Sequence, residues 1–181
     1  LRCCWTIGPP ELIKACNTIL SHTTSNVSSI TQKAALAALV GPQDDVTKML
    51  NEYKVRRDNM HELLTSHPRI KCVRPKGAFY LFPDFENFRE KLTERGLTNS
   101  PELCEQLLQD TGVALLPGSE FGCDATELNA RLAYINFDGT KALKISKQIP
   151  TDKIMTIDDI MPICADVIEA IDRIIKWLQE F

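Results

Sequence analysis

The sequence lacks the features by which membrane, secreted and nucleic-acid-binding proteins are recognised. No apolar run approaches the ~20 residues that span a bilayer. The first residues carry no charged segment followed by an apolar stretch, so we expect no leader peptide and a cytoplasmic protein. The 181 residues contain 21 Lys and Arg against 24 Asp and Glu, a formal charge of -3 that offers no positive field for nucleic acid. The composition is otherwise typical of one soluble globular domain.

Disulfide and metal chemistry are also poorly supported. The cysteines number seven, an odd count, and none is spaced as C-x-x-C. The three histidines are far apart and share no ligand spacing. We therefore expect free thiols in a reducing compartment and no metal site. The phosphate-loop, dinucleotide and H-E-x-x-H motifs are missing, and no Ser-His-Asp grouping is visible, so the residues themselves indicate no catalytic group.

Hydrophobic spacing and turn residues predict interleaved helices and short strands. Ser100 is expected to cap the helix after it. The segment 84–99 reads as a helix with a loop, and 137–150 reads as a loop that can include helical turns. Helices are predicted at residues 11–20, 29–40, 43–66, 101–110 and 158–181, and strands at 1–8, 70–73, 78–82, 113–116 and 131–136.

This pattern predicts an α/β fold, with an α+β small domain built on a short mixed or antiparallel sheet flanked by helices. The long helix 43–66 has an apolar stripe and a solvent-facing charged side, and it looks like a bridge between two parts of the chain. Its stripe contains Val46, Met49, Leu50, Tyr53, Met60, Leu63 and Leu64, and its charged side contains Arg56, Arg57, Asp58 and Glu62.

Two arginines lie in otherwise apolar strand segments. Arg2 precedes Cys3, Cys4 and Trp5, and Arg131 precedes the run LAYI. A buried guanidinium cannot lose its proton and needs an anionic partner. That partner can be a ligand carboxylate or phosphate, held by two parallel hydrogen bonds, or an internal Asp or Glu. The residues alone leave both readings open.

Five stretches in order carry a resemblance to a known family. They are LRCCWTIGP at 1–9, SHTTSNVSSITQ at 21–32, PKGAFYLFPD at 75–84, GVALLPGSEFG at 112–122 and ARLAY at 130–134. Together they resemble the C-terminal part of a class I aminotransferase of the aspartate aminotransferase group, which are fold-type I enzymes that use pyridoxal 5'-phosphate. The resemblance implies a remnant of the large cofactor-binding domain at 1–42, a bridging helix at 43–68 and the small domain at 69–181.

The resemblance also implies roles for the two arginines. Arg2 falls where the family binds the cofactor phosphate, and Arg131 falls where it binds the α-carboxylate of the substrate. The polar stretch 22–26 resembles a loop near the active site and the subunit interface. Segments 75–82 and 113–118 resemble strands and turns of the small domain. The implied partners are a 2-amino acid, aspartate-like, and a 2-oxo acid, in a homodimer.

The sequence departs from the family in two places. The lysine that holds the cofactor as a Schiff base would precede Leu1, so no catalytic residue is assigned, and the pair Ser146-Lys147 is not its counterpart because no G-x-R follows. Cys4 stands where the family usually has glycine. We therefore interpret the chain as a fragment that does not hold the cofactor covalently, is inactive alone, and self-associates through apolar surface at 1–40.

Two alternatives remain open at this stage. The chain could be a non-catalytic interaction module that keeps the small-domain fold. It could also be part of another fold-type I lyase or synthase, because a fold does not fix the reaction.

Overall fold

A computed structural model describes residues 3–150, 153 and 156–180, and the chain divides into two compact units, Leu1–Val46 and Thr47–Phe181. The predicted domain bounds at 42/43 and 68/69 stay a prediction. None of the described helices is both long and apolar enough to cross a membrane. The seven cysteines are free thiols, of which Cys104 and Cys164 are buried.

The first unit contains two helices, α1 (Pro10–Thr23) and α2 (Ser29–Val40). Pro10 begins α1, where its missing N–H would be unpaired in any case. The predicted strand at 1–8 is wrong for its described part, residues 3–8, which have no strand neighbour in this unit to pair with. Apolar side chains of the unit, such as Ile7 and Ile30, are exposed. Self-association through them stays a prediction.

The predicted long helix is confirmed as α3 (Asp44–Thr65). Its predicted faces are right in part, since Met60 and Leu64 are buried and Glu62 is exposed as predicted. Val46, Met49 and Leu50 are exposed, whereas a stripe spaced four residues apart is buried. That stripe consists of Glu52, Arg56, Met60 and Leu64. Arg56 is fully buried and forms an ion pair with Glu52 one turn earlier. Its charge therefore does not place it on the solvent-facing side of the helix.

Two small antiparallel sheets follow, which confirms the predicted fold class. Strand β1 (Lys71–Cys72) pairs with β3 (Pro83–Asp84). The second sheet has the order β2-β5-β4, with β2 (Tyr80–Leu81), β5 (Ala130–Ala133) and β4 (Leu116–Pro117). Strand β3 was not predicted because Pro83 reads as a strand breaker, yet proline is tolerated in an edge strand.

The remaining helices are α4 (Arg89–Glu94), α5 (Ser100–Thr111), α6 (Gly139–Gln148), α7 (Ile157–Ile160) and α8 (Ala165–Gln179). They confirm the predicted helices near 84–99 and 101–110, while three details are wrong. Asn99 rather than Ser100 caps α5, since its side chain accepts from Glu102 N at 2.9 Å.

The other two corrections concern the end of the chain. Residues 139–148 form one continuous helix, α6, capped by the Asp138 side chain, where only helical turns within a loop were predicted. The predicted helix 158–181 is interrupted by a 3₁₀ turn, Met161–Ile163, because Pro162 removes a helical N–H and clashes with the preceding turn.

The core of the second unit lies between the sheets, α5 and α8. Trp177 of α8 donates its indole N–H to Asp110 of α5 at 2.8 Å, which satisfies the polar edge of a buried ring. The side chains that fill this core include Leu64, Leu81, Phe85, Phe88, Leu92, Leu103, Leu107, Leu132, Ile171 and Ile174. This packed layer fixes the strands β2 and β5, which carry the candidate site.

Candidate substrate-binding site

The candidate site is centred on Arg131 in β5. Alternation along this strand buries Ala130 and Leu132 in the core and turns Arg131 and Ala133 to the opposite face. The ladder places Leu116 of β4 opposite Arg131 and Tyr80 of β2 opposite Ala133. Tyr80 is therefore a diagonal neighbour of Arg131 on the same face, within reach of a long side chain.

The Arg131 guanidinium contacts two aromatic rings. Its Cζ lies 4.2 Å from the centroid of the Tyr80 ring and 4.2 Å from that of Phe121. It forms no ion pair with any Asp or Glu among the residues that the structure describes. No described Asp or Glu is therefore the internal partner that was considered for Arg131. The N–H groups of Arg131 remain available for an outside anion.

The Tyr80 ring is placed by the turn before β2. Ala78 in this turn has φ 58°, a left-handed conformation that is uncommon for a residue with a Cβ. The buried Tyr134 hydroxyl donates to the Ala78 carbonyl at 2.9 Å and holds the turn in this conformation. Burial is the largest influence on the pKa of Tyr134 and raises it, so the phenol stays a hydrogen-bond donor at neutral pH.

A carboxylate of α3 also secures this turn. Asp58 Oδ1 accepts from Arg57 Nε at 2.7 Å and from Arg74 Nε at 3.1 Å. Burial favours the neutral form of Asp58, but the two arginines outweigh it and lower its pKa. This charged bridge ties Arg74, which precedes the turn 75–78, to α3.

Phe121 is placed by a close approach of two backbones. It ends the 3₁₀ helix Gly118–Phe121, which follows β4 directly. Gly118 donates its N–H to the Asn129 carbonyl at 3.0 Å, and a Cβ on Gly118 would overlap Asn129 Oδ1. A side chain at position 118 would displace Asn129, so glycine permits the close contact that places the start of the 3₁₀ helix.

Changing Gly118 to alanine is expected to lower the free energy of unfolding by about 1–3 kcal/mol, since Asn129 must move to admit the new methyl group. Chemical denaturation of the 181-residue chain measures this change. Gly77→Ala is the matched control, because nothing lies within 4 Å of its new Cβ. Equal, small effects of the two substitutions would show that the Gly118 contact does not constrain the fold.

The other predicted site residues belong to other parts of the chain. Arg2 lies outside the described residues, so its role in binding the cofactor phosphate stays a prediction. Cys4 is exposed in a stretch without regular structure. The polar stretch 22–26 includes the end of α1 and Ser25, which has φ 61°. Lys147 lies in α6 and is exposed.

A cleft of about 460 Å³ lies elsewhere in the second unit. It is lined by the stretch 112–115, by Leu132 and by α8 residues that include Val167 and Ala170, and Arg131 does not line it. No group of three or more His, Cys, Asp or Glu in the described part of the chain could hold a metal ion. The arginine with its two rings is therefore the arrangement with the clearest chemistry, namely binding of a planar anion such as a carboxylate.

Sequence reasoning identified Arg131 but missed Tyr80 and Phe121. Both rings lie inside the quoted stretches PKGAFYLFPD and GVALLPGSEFG, where they read as strand and turn residues. The available signal was an aromatic residue in each of two quoted stretches that also carry strand and turn residues.

The helices and the short antiparallel sheets that carry Arg131 are features that this chain shares with one known family of proteins. The family pattern of aminotransferase class I and II matches residues 1–141, and the chain belongs to this family. Within it, the chain is similar to aspartate aminotransferases.

Three relatives illustrate the similarity. The aspartate aminotransferase of Geobacillus stearothermophilus is 42% identical over 130 residues, which are 72% of this chain and 32% of that protein. The asparagine–oxo-acid transaminase of Streptococcus mutans is 39% identical over 130 residues, again 72% and 32%. The crystal structure of the Rhizobium meliloti aspartate aminotransferase superposes with a TM-score of 0.65 at 31% identity, covering 92% of this chain and 35% of that chain. The chain thus spans about a third of the length of these relatives.

Proposed function

We propose that this chain is the C-terminal part of a pyridoxal 5'-phosphate-dependent aminotransferase that moves an amino group between an aspartate-like 2-amino acid and a 2-oxo acid. The observation that supports it is the Arg131 guanidinium, held by two rings and without a carboxylate partner among the described residues. Such a group binds the α-carboxylate that every 2-amino acid and 2-oxo acid carries. The homodimer and the cytoplasmic location belong to the same proposal.

In this proposal Arg131 binds and orients the substrate. Two parallel N–H bonds from one guanidinium edge fix both the position and the plane of a carboxylate, and this limits the rotation of the substrate about its Cα. The orientation decides which Cα bond is presented to the reacting groups. When bound, the cofactor supplies an electron sink for the electrons of that bond.

The residues assigned to the cofactor lie largely outside the described structure. Arg2, the proposed phosphate ligand, is not among the described residues, and the lysine has no counterpart in the 181 residues. We therefore assign the covalent hold on the cofactor and the proton transfer to groups outside this segment, and we assign carboxylate binding to Arg131.

The test compares the 181-residue chain with the complete product of the reading frame that contains it. With pyridoxal 5'-phosphate, 2-oxoglutarate and a panel of amino acids, the complete protein is expected to form glutamate, fastest from aspartate or a related donor. The 181-residue chain alone is expected to form none. A complete protein that releases elimination or decarboxylation products instead would identify a lyase, and turnover by the 181-residue chain alone would contradict the assignment of the lysine.

A further inference from the structure

The contacts of Arg131 with aromatic rings come from two separate parts of the chain. Tyr80 belongs to β2 and Phe121 to the 3₁₀ helix after β4, and the two strands flank β5 on either side. Both rings lie at the same distance, 4.2 Å, from the Arg131 Cζ. The two rings therefore meet Arg131 because of the order of strands in the sheet, and not because they are close to it in the sequence.

Each ring is itself fixed by a second ring. Phe82 meets Phe121 at a centroid distance of 6.2 Å with the planes at 84°, an edge-to-face contact. Phe79 lies 4.5 Å from Tyr80 with the planes at 54°. The guanidinium thus lies against rings whose own positions are restrained, although Phe82 and Phe121 are partly open to solvent.

The chemistry of a ring differs from that of a carboxylate partner in one decisive way. An aromatic face attracts the guanidinium charge within about 6 Å, yet it does not take up the in-plane N–H donors. A carboxylate would occupy those donors. Rings therefore hold the arginine in place and leave its hydrogen-bonding edge open for a ligand.

We propose that Tyr80 and Phe121 are positioning residues that hold the Arg131 guanidinium in the orientation that receives the substrate carboxylate. The proposal rests on the proposed function, because it gives the two rings a role in the binding that Arg131 performs. An unrestrained arginine loses rotamer freedom when it binds an anion. An arginine already held by rings loses less, and this favours binding.

The kinetic test uses the complete enzyme and four variants: Tyr80→Phe, Tyr80→Leu, Phe121→Leu and the double leucine variant. Tyr80→Phe keeps the ring and is expected to have a KM much closer to that of the unchanged enzyme than Tyr80→Leu has. Each single leucine variant is expected to raise KM for the amino acid about fivefold, and the double variant more, with a smaller change in kcat. The sensitivity to ring removal, with rescue by phenylalanine, separates a positioning role from general packing.

A second measurement follows the arginine itself in the complete enzyme. The Arg131 Nε–Hε signal, observed by ¹⁵N NMR, is expected at a resolved position in the unchanged enzyme. In the double leucine variant it is expected to move to the position of mobile, exposed arginines while the backbone amide signals stay in place. A mobile Arg131 signal in the unchanged enzyme would overturn the proposal. Should Tyr80→Leu fail to fold, Phe121→Leu, at a partly exposed position, provides the same comparison.

The outcomes separate this inference from the proposed function. If the leucine variants keep an unchanged KM while an Arg131 variant raises it, the rings are structural only and carboxylate binding by Arg131 stands. If the Arg131 variant itself leaves KM unchanged, the proposed function fails, and the inference fails with it.

Discussion

Replacing Arg131 by alanine in the complete enzyme is expected to lower kcat/KM for the amino acid by about 10²–10⁴-fold. The expectation follows from two charge-assisted hydrogen bonds to the carboxylate, each contributing about 1.5–3 kcal/mol, with about 1.4 kcal/mol for each tenfold change. Arg131→Lys keeps the charge but not the planar fork, and it is expected to retain more of the activity than alanine does. Steady-state kinetics with aspartate and 2-oxoglutarate measure both variants.

Two comparisons make this result specific. An amine that lacks the α-carboxylate has nothing for Arg131 to bind, so its slow reaction is expected to change little in either variant. Arg89→Ala is the arginine control, because Arg89 is half-buried and its partners are Glu86, in an ion pair of the surface type that contributes little, and the Thr126 carbonyl. A similar loss for the carboxylate-free amine would mean that Arg131 supports the fold or the cofactor and not the substrate.

The centre of the site could be predicted from the sequence because its signal is local. An arginine in an apolar strand segment conflicts with its surroundings, and that conflict is visible in the run ARLAY itself. Its two rings could not be predicted, because Tyr80 and Phe121 reach Arg131 only through the pairing of β2 and β4 with β5. Strand order is a tertiary property, and the strands here are only two to four residues long.

In the helices, too, local features could be predicted from the sequence and tertiary contacts could not. The bounds of α3 were predicted within one residue at each end from turn residues and proline, which act locally. The buried side of α3 was predicted only in part: Met60 and Leu64 were assigned to it, but Arg56 was not, because the assignment took charge as a sign of exposure. Arg56 is fully buried since its guanidinium finds a carboxylate at Glu52 and the ring of Phe137 at 4.0 Å, and only the folded chain brings that ring to the helix.

The Glu52–Arg56 pair leads to the prediction with the largest expected effect on stability. Arg56 Nε and Nη1 have no hydrogen-bond partner among the described residues, so Glu52 is the one described carboxylate that compensates this buried charge. Burial lowers the pKa of Arg56, but a guanidinium still remains charged at neutral pH. Glu52→Gln is therefore expected to lower the free energy of unfolding by about 3–5 kcal/mol, because it leaves a buried cation without its counter-charge.

The same reasoning predicts that a second substitution restores much of the stability that Glu52→Gln removes. Arg56→Met removes the cation and fills a similar volume, so the double variant Glu52→Gln, Arg56→Met is expected to be more stable than Glu52→Gln alone. Chemical denaturation of the 181-residue chain and its variants gives the coupling free energy in a double-mutant cycle. Glu94→Gln, which breaks the exposed pair of Lys91 and Glu94, is the control and is expected to cost under about 1 kcal/mol. If Glu52→Gln is as mild as this control, or if Arg56→Met makes it worse, then the rings of Tyr53 and Phe137 rather than the carboxylate of Glu52 compensate the buried guanidinium.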